Sequence, residues 1–260
     1  KKSRQKETTT NYESKQTKTI YPQQEQQECE KALNGVAVQN ISTAIALALF
    51  EAIGPREKAS SPLTLAFETA AACCPDNHMP MCELLRFIEC ARVRSGNEDL
   101  GLQAYQKAHP GHLGVLGYAI MSSATLGEAM TRMVEYHPMI GTGFCMFVEN
   151  SASTLRMAGL PTSTKDMALP RAFVDAVAAI TLGLLHWLCP SARIMPLKAE
   201  FTYEKPQDTR QLEHLFGPDL SFSCAVNALT FQRADTDHRV ATFDPSLQKI
   251  HDQYLKRHQQ

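Results

Sequence analysis

Residues 170–189 predict a long helix that is apolar on almost all sides, and this segment constrains the fold more than any other. Pro170 suits the first position of a helix. One face carries apolar residues at three- and four-residue spacing: Phe173, Val177, Ile180, Leu184 and Leu188. Such a helix belongs in the centre, with a sheet on one side and another helix or a second subunit on the other. A membrane span is disfavoured because residues 176–188 are too few to cross a bilayer unless Arg171 and Asp175 enter the hydrocarbon.

Helical patterns dominate the sequence before this segment. Gly54-Pro55 ends an Ala- and Leu-rich stretch, Ser60-Ser61-Pro62 caps the start of another, and Pro80 opens a third. The predicted helices lie at residues 32–53, 60–74, 80–95 and 126–136.

Extended patterns appear after the helical region and again after the long helix. Phe144, Met146 and Val148 alternate with their neighbours, and an extended pattern resumes at 154–157 after the turn-prone Asn150-Ser151, which predicts a hairpin. Further strands are predicted at 197–203, 220–222 and 228–231, with a short helix at 211–216. The predicted fold class is α+β, with a small, mostly antiparallel sheet packed on the long central helix and an N-terminal helical region.

Composition and charge divide the chain and limit its partners. Residues 1–28 are almost entirely polar and predict a disordered tail, 29–244 form one domain, and 245–260 start an amphipathic linker helix. The net charge of -1 provides no basic surface for gripping DNA. Eight irregularly spaced cysteines without a secretory leader predict reduced thiols and a cytoplasmic location, with no membrane contact.

Several strings together resemble the ligand-binding N-terminal domain of AraC/XylS-family transcription regulators, in the subgroup of ornithine-utilisation and quorum-sensing-type regulators. They keep the family's order and spacing between about residues 79 and 247. The strings are GNEDLGL at 96–102, LGYA at 116–119, SSATLGEA at 122–129, PQD at 206–208, LFGP at 215–218, NALTF at 227–231 and DPSL at 244–247.

This resemblance implies an effector-sensing and dimerisation domain of a bacterial regulator that is not an enzyme. The tandem helix-turn-helix domain that follows in the family is missing from the sequence, so DNA contact is expected only through that missing domain. The expected partners are a small-molecule effector and a second copy of the chain, and no cofactor is expected. A dimerisation module without a ligand remains an alternative.

A sensor needs a mostly apolar pocket with a few polar groups, and the hairpin and adjacent helices can supply one. The candidate ligand-binding residues are Tyr118, Ser122, Phe144, Met146, Arg156, Trp187, Phe201 and Tyr203. Arg156 is suited to a carboxylate effector, although an arginine on a strand can equally face water. The candidate dimerisation residues are Ile180, Leu184 and Leu188.

Metal binding and catalysis are weaker alternatives. Cys73, Cys74, His78 and Cys82 are zinc-ligand types close together, but Pro75 and Pro80 break the helix that would align them, so no metal site is predicted. No motif of a hydrolase or of nucleotide binding is present, and no catalytic residue is assigned. An enzyme would require an activated cysteine, with Cys145 and Cys189 as candidates.

Overall fold

The structure is a computed structural model that describes residues 39–53, 65, 67–69, 72, 78–161 and 169–257. The predicted tail at 1–28, most of the helix predicted at 60–74, and both Cys73 and Cys74 lie outside the described residues. Within them the α-helices are α1 (Thr43–Ile53), α2 (Met81–Ser95), α3 (Val115–Met121), α4 (Leu126–Glu135), α5 (Arg171–Leu188), α6 (Arg210–Phe216), α7 (Arg233–Thr236) and α8 (Pro245–Arg257). Three 3-10 helices occupy Leu100–Lys107, Pro110–Leu113 and His137–Met139.

The strands form a mostly antiparallel sheet and a separate short pair. They are β1 (Asn40–Ser42), β2 (His78–Pro80), β3 (Phe144–Asn150), β4 (Thr154–Pro161), β5 (Lys198–Glu200), β6 (Leu220–Ser221) and β7 (Asn227–Gln232). The five-stranded sheet has the order β3-β4-β7-β5-β6, and all its neighbours are antiparallel except the parallel pair β5 and β6. The β1 and β2 strands pair with each other, Ile41 opposite Met79. The predicted α+β class is therefore confirmed.

Helix α5 lies between the sheet and the N-terminal helical region. Leu182 and Leu185 belong to the apolar core that contains the sheet residues Leu229 and Phe231, together with parts of α3 and α4. Phe173 and Ala176 belong to a second core, built mainly from α1 and α2. A helix with two buried sides has to be apolar nearly all round, which explains the pattern seen in the sequence.

The 3-10 helix at Leu100–Lys107 packs directly against α5, and two glycines permit this close approach. A Cβ atom at Gly101 would lie 2.1 Å from the backbone oxygen of Ala172. A Cβ atom at Gly183 would lie 2.5 Å from the Cβ of Ala108 and 2.9 Å from the oxygen of Tyr105. The contact therefore requires glycine on both of its surfaces.

Several predicted element ends are confirmed by their capping geometry. Helix α2 ends at Gly96, which has the left-handed φ of 61°. Helix α4 starts at Thr125, whose Oγ1 accepts a 3.2 Å hydrogen bond from the Glu128 N–H. Helix α6 ends before Gly217, with a φ of 87°.

Two strand predictions were too long. The strand predicted at 197–203 stops at Glu200, and the Thr202 N–H donates to the Asn227 side chain at 2.9 Å rather than to a neighbouring strand. The strand predicted at 220–222 stops at Ser221 because the chain turns at Ser223, where φ is 54°. Side-chain hydrogen bonds and local turns thus end both strands.

By length and composition, α5 is the one helix within the described residues that could cross a membrane. In the fold, 61% of the residues of this helix are buried against the rest of the protein. A mostly buried core helix passes the same composition test, so this feature is weak evidence for a membrane span.

Candidate functional site

An apolar cavity, here named the main cavity, lies between the β3–β4 hairpin, strand β7 and helix α5. It contains about 630 Å³ of space between atoms and is partly open to solvent. Its lining residues are Phe144, Met146, Met157, Ala158, Gly159, Leu160, Leu169, Phe173, Val174, Val177, Ala178, Thr181, Phe201, Asn227, Ala228 and Leu229.

The lining of the main cavity is apolar apart from Thr181 and Asn227. The Thr181 hydroxyl donates to the Val177 backbone oxygen at 2.9 Å. The Asn227 side-chain oxygen accepts from the backbone N–H and hydroxyl of Thr202, at 2.9 and 3.2 Å. The Asn227 amide nitrogen is therefore the polar group best suited to meet a ligand. Because no charged residue lines the cavity within the described chain, the cavity favours an uncharged ligand.

A second cavity of about 600 Å³ lies between the hairpin, α5 and α1. Its lining is also apolar apart from Thr181, and six of its residues line the main cavity too. The lining consists of Ile41, Ile45, Leu49, Leu113, Met133, Ile140, Phe144, Met146, Met157, Phe173, Val177, Ile180, Thr181 and Leu184. The two cavities are therefore neighbours that share part of their walls.

Three of the predicted ligand-binding residues meet at the main cavity, namely Phe144, Met146 and Phe201. Tyr203 lies directly behind Phe201, with ring centroids 5.1 Å apart and nearly parallel rings. Tyr203 therefore supports the cavity wall rather than lining the cavity.

The Tyr203 hydroxyl donates a 2.5 Å hydrogen bond to Asp175 of α5. Asp175 is fully buried, and burial raises the pKa of its carboxyl to about 7, although the Tyr203 hydroxyl and the Arg171 charge both act to lower it. Arg171 Nε lies 3.2 Å from Asp175 Oδ2, and Arg171 Nη2 donates to Asp99 at 2.5 Å. This polar group joins α5 to the segment after β5 and to the 96–102 motif.

Arg156 lies on β4 but outside both cavity linings. Its Nε donates to Glu200 Oε2 at 2.8 Å and its Nη1 to Glu149 Oε2 at 2.9 Å. Burial raises the pKa of Glu200, but Arg156 and Lys198 outweigh this effect and hold that pKa below its ordinary value. A carboxylate effector at Arg156 would therefore have to displace a carboxylate of the protein itself.

The other predicted ligand residues lie away from both cavities. Tyr118 is 56% exposed on α3, with its ring 6.3 Å from that of His251. Ser122 is buried, donates to the Ala119 oxygen at 3.1 Å and lies 2.9 Å from His251 Nδ1. Trp187 packs edge-on against His109 at 5.1 Å. Direct ligand contact by these three residues stays a prediction that the cavity geometry does not favour.

The candidate dimerisation residues are placed inside the monomer. Ile180 is half-buried and lines the second cavity together with the buried Leu184. Leu188 is fully buried in the core that contains the sheet. Their role in dimerisation stays a prediction, and substitutions there would affect folding as well as association.

Sequence reasoning missed part of the cavity wall. Met157 was only part of an extended pattern, while Phe173 and Val177 were assigned to the apolar face of the long helix. Asn227 stands at the start of the NALTF string, but the sequence alone does not indicate that its side chain meets a cavity. Period-two and helical patterns identify buried faces without separating a cavity wall from a filled core.

A polar cluster around Arg132 attaches the terminal helix α8 to the domain. Arg132 is 7% exposed on α4, and its Nε and Nη2 donate to Asp252 of α8 at 3.1 and 2.9 Å. Its Nη1 donates to the Ser123 hydroxyl at 2.7 Å. Gln248 of α8 donates to Glu128 of α4 at 2.6 Å. Helix α8 therefore docks on the body of the domain through defined polar contacts.

The described residues contain no group of three or more potential metal ligands. His78 Nε2 lies 3.1 Å from the Met139 backbone oxygen, and Cys82 is half-buried, where burial raises the pKa of its thiol. The proposed partners Cys73 and Cys74 lie outside the described residues. The zinc alternative gains no support from this part of the chain.

Comparison with known proteins shows the class to which this fold belongs. Residues 69–240 match the family described as the arabinose-binding domain of AraC transcription regulator, N-term, so the chain belongs to that family. The family consists of sensor domains of transcription regulators, not enzymes. The resemblance inferred from the sequence strings is confirmed, and the enzymatic alternative is wrong.

Two individual proteins extend this result. The ornithine utilization regulator of Pseudomonas aeruginosa is 22% identical over 183 residues, which cover 69% of this chain and 52% of that protein. The crystal structure of the transcriptional regulator CdpR from Pseudomonas aeruginosa superposes with a TM-score of 0.53 at 16% identity. That superposition covers 77% of this chain and 66% of CdpR. The chain thus spans about half the length of the ornithine utilization regulator, and the likeness to CdpR concerns the fold.

Proposed function

We propose that the chain is the effector-sensing part of an AraC-type regulator and binds a small, uncharged, mainly apolar molecule in the main cavity. The observation that carries this proposal is the cavity between hairpin and central helix, whose described lining holds no charge and two polar side chains. Burying hydrocarbon there is favourable, whereas burying an unpaired charge is costly.

The lining argues against the two small molecules that appear in the names of the family and of the similar regulator. A sugar such as arabinose carries several hydroxyls, and each needs a hydrogen-bond partner when it is buried. Ornithine carries charged groups that need opposite charges. Thr181 and Asn227 cannot satisfy either ligand. We therefore infer an effector chemically distinct from arabinose and from ornithine.

The signal is proposed to leave the domain through α4 and α8. Met133 of α4 lines the second cavity, and its neighbour Arg132 holds Asp252 of α8. A ligand shifts a conformational equilibrium only when it binds one state more tightly than the other. If the ligand binds more tightly when α4 is in one of two positions, binding will favour that position and change how α8 docks. We infer that a DNA-binding domain in the whole regulator receives this change and that the regulator acts in the cytoplasm.

A titration with uncharged probes tests the proposed site. Octanol and N-phenylnaphthylamine are expected to raise the melting temperature increasingly with concentration, because both would bind only the folded state. Ala178→Leu, which adds bulk to the α5 wall of the main cavity, should abolish the effect. The exposed Ala241→Leu is the matched control and should leave it intact. An equal response of both variants would contradict the proposal.

Dimerisation is the second part of the proposed function. Leu247, Ile250 and Tyr254 are exposed on α8 at spacings that place them along one side, which suits pairing with a second helix. We expect sedimentation of the native chain to show a dimer and Ile250→Lys to shift it towards monomer. A native chain that stays monomeric at high concentration would contradict this part.

A further inference from the structure

The main and second cavities share six of their wall residues. The shared residues come from β3, β4 and α5, and they are Phe144, Met146, Met157, Phe173, Val177 and Thr181. A compact ligand in the main cavity alone would leave the second apolar cavity unfilled. We propose that the two cavities together hold one elongated, uncharged aliphatic molecule, its polar head near Asn227 and its tail in the second cavity.

The residues between the cavities can move without breaking polar contacts. Met146 and Met157 line both spaces, and methionine side chains are unbranched and adapt readily to irregular shapes. Phe144 is half-buried at the same place. A hydrocarbon chain passing between these side chains would replace apolar contacts with similar ones.

Helix α5 gives the combined site its length. Residues along α5 contribute to the two linings from Phe173 to Leu184, and eleven residues of rise correspond to about 16 Å. Val177 and Thr181, one turn apart, line both cavities. A site extended along a helix axis suits a chain-like ligand better than a compact ring.

The polarity of the two linings sets the direction of the ligand. Asn227 lines only the main cavity, and its amide can donate a hydrogen bond to a hydroxyl or carbonyl head. The far end of the second cavity is formed by Ile45 and Leu49 of α1, with Ile140. Thr181 is its one hydroxyl-bearing lining residue within the described chain, and it already bonds to Val177. The tail should therefore be pure hydrocarbon.

This inference rests on the proposed effector site, and a series of straight-chain alcohols from hexanol to dodecanol tests it. The alcohols compete with N-phenylnaphthylamine for the full chain. Each methylene buried in the second cavity should strengthen binding roughly fourfold until the tail reaches the end of the cavity.

Two variants at Ile180, which lines only the second cavity, give opposite expectations. Ile180→Phe should stop the rise in affinity at a shorter alcohol while hexanol binding stays unchanged. Ile180→Ala should let the rise continue to a longer alcohol. Ile45→Phe, on the opposite wall, repeats the first test if Ile180→Phe does not fold. Val93→Phe on the exposed face of α2 is the matched control and should keep the native profile.

The outcomes separate this inference from the proposed function. If both Ile180 variants keep the native chain-length profile, the tail does not enter the second cavity and the inference is overturned. Hexanol binding that is still sensitive to Ala178→Leu would then leave the proposed function in place. If no alcohol displaces N-phenylnaphthylamine from the native chain, the inference and the proposed function are both refuted.

Discussion

Replacing Arg132 with methionine should release helix α8 from the body of the domain. The guanidinium is buried between α4 and α8 and holds Asp252 through both Nε and Nη2. It also forms a 2.9 Å ion pair with Glu128 and donates to Ser123. Methionine keeps the apolar length of the side chain and removes all these contacts.

The magnitude follows from how exposed the partners are. Hydrogen bonds between charged groups contribute about 1.5 to 3 kcal/mol when well shielded. The side chains of Asp252 and Glu128 are 36% and 34% exposed, so solvent screens part of this interaction. We therefore expect a loss of about 1 to 2 kcal/mol, concentrated in α8. The buried Leu255 continues to hold the end of that helix.

Hydrogen exchange measured by mass spectrometry on peptides from α8 is the appropriate assay. In Arg132→Met, the backbone amides of α8 after Pro245 should exchange about tenfold faster, while those of α5 change little. Arg257→Met, at an exposed position of α8, is the matched control. A double-mutant cycle with Asp252→Asn should give a coupling energy of about 1 kcal/mol. Unchanged exchange in α8 would refute the assigned role of Arg132.

Three further predictions concern the core. The pKa of Asp175 is raised from 3.8 to about 7, so the stability that this group provides is complete below about pH 4 and is lost as the pH rises towards 7. Asp175→Asn should remove that pH dependence, which is on the order of 4 kcal/mol in the free energy of unfolding. Urea unfolding measured between about pH 4 and about pH 8 tests this, and parallel pH profiles of the native chain and the variant would contradict it. Gly101→Val should lower the free energy of unfolding by about 3 kcal/mol because its Cβ overlaps the Ala172 backbone, and an unchanged melting temperature would exclude that contact. Phe201→Ala should cost about 3 to 5 kcal/mol and weaken binding of N-phenylnaphthylamine, and native-like urea stability would show that Phe201 is not packed as described.

The elements that the sequence predicts are those with strong local patterns. Helix α5 follows from its continuous apolar surface and Pro170, and the hairpin follows from the alternation around Met146. The 3-10 helix at Leu100–Lys107 was not predicted, because it depends on the glycine-mediated contact with α5 rather than on its own periodicity. The pairing of β1 with β2 and of β5 with β6 joins short strands distant in the chain, so no local pattern reports it.

The candidate site was predicted in part for the same reason. Apolar alternation identified Phe144, Met146 and Phe201, which do line the main cavity. Arg156 was a plausible ligand residue only while its partners were unknown, because sequence does not reveal that Glu149 and Glu200 neutralise it. Whether a charged strand residue is free to bind a ligand therefore depends on its partners in the folded protein, which the strand pattern does not show.

Photoaffinity labelling tests the central claim, that an uncharged aliphatic molecule enters the space between hairpin and central helix. The native chain would be irradiated with a long-chain alcohol carrying a diazirine and analysed by peptide mass spectrometry. We expect labels on cavity residues such as Met157, Phe173 and Asn227, and excess dodecanol should suppress them. Labels confined to the exposed side of α8, at Ile250 or Tyr254, and insensitive to dodecanol would contradict it.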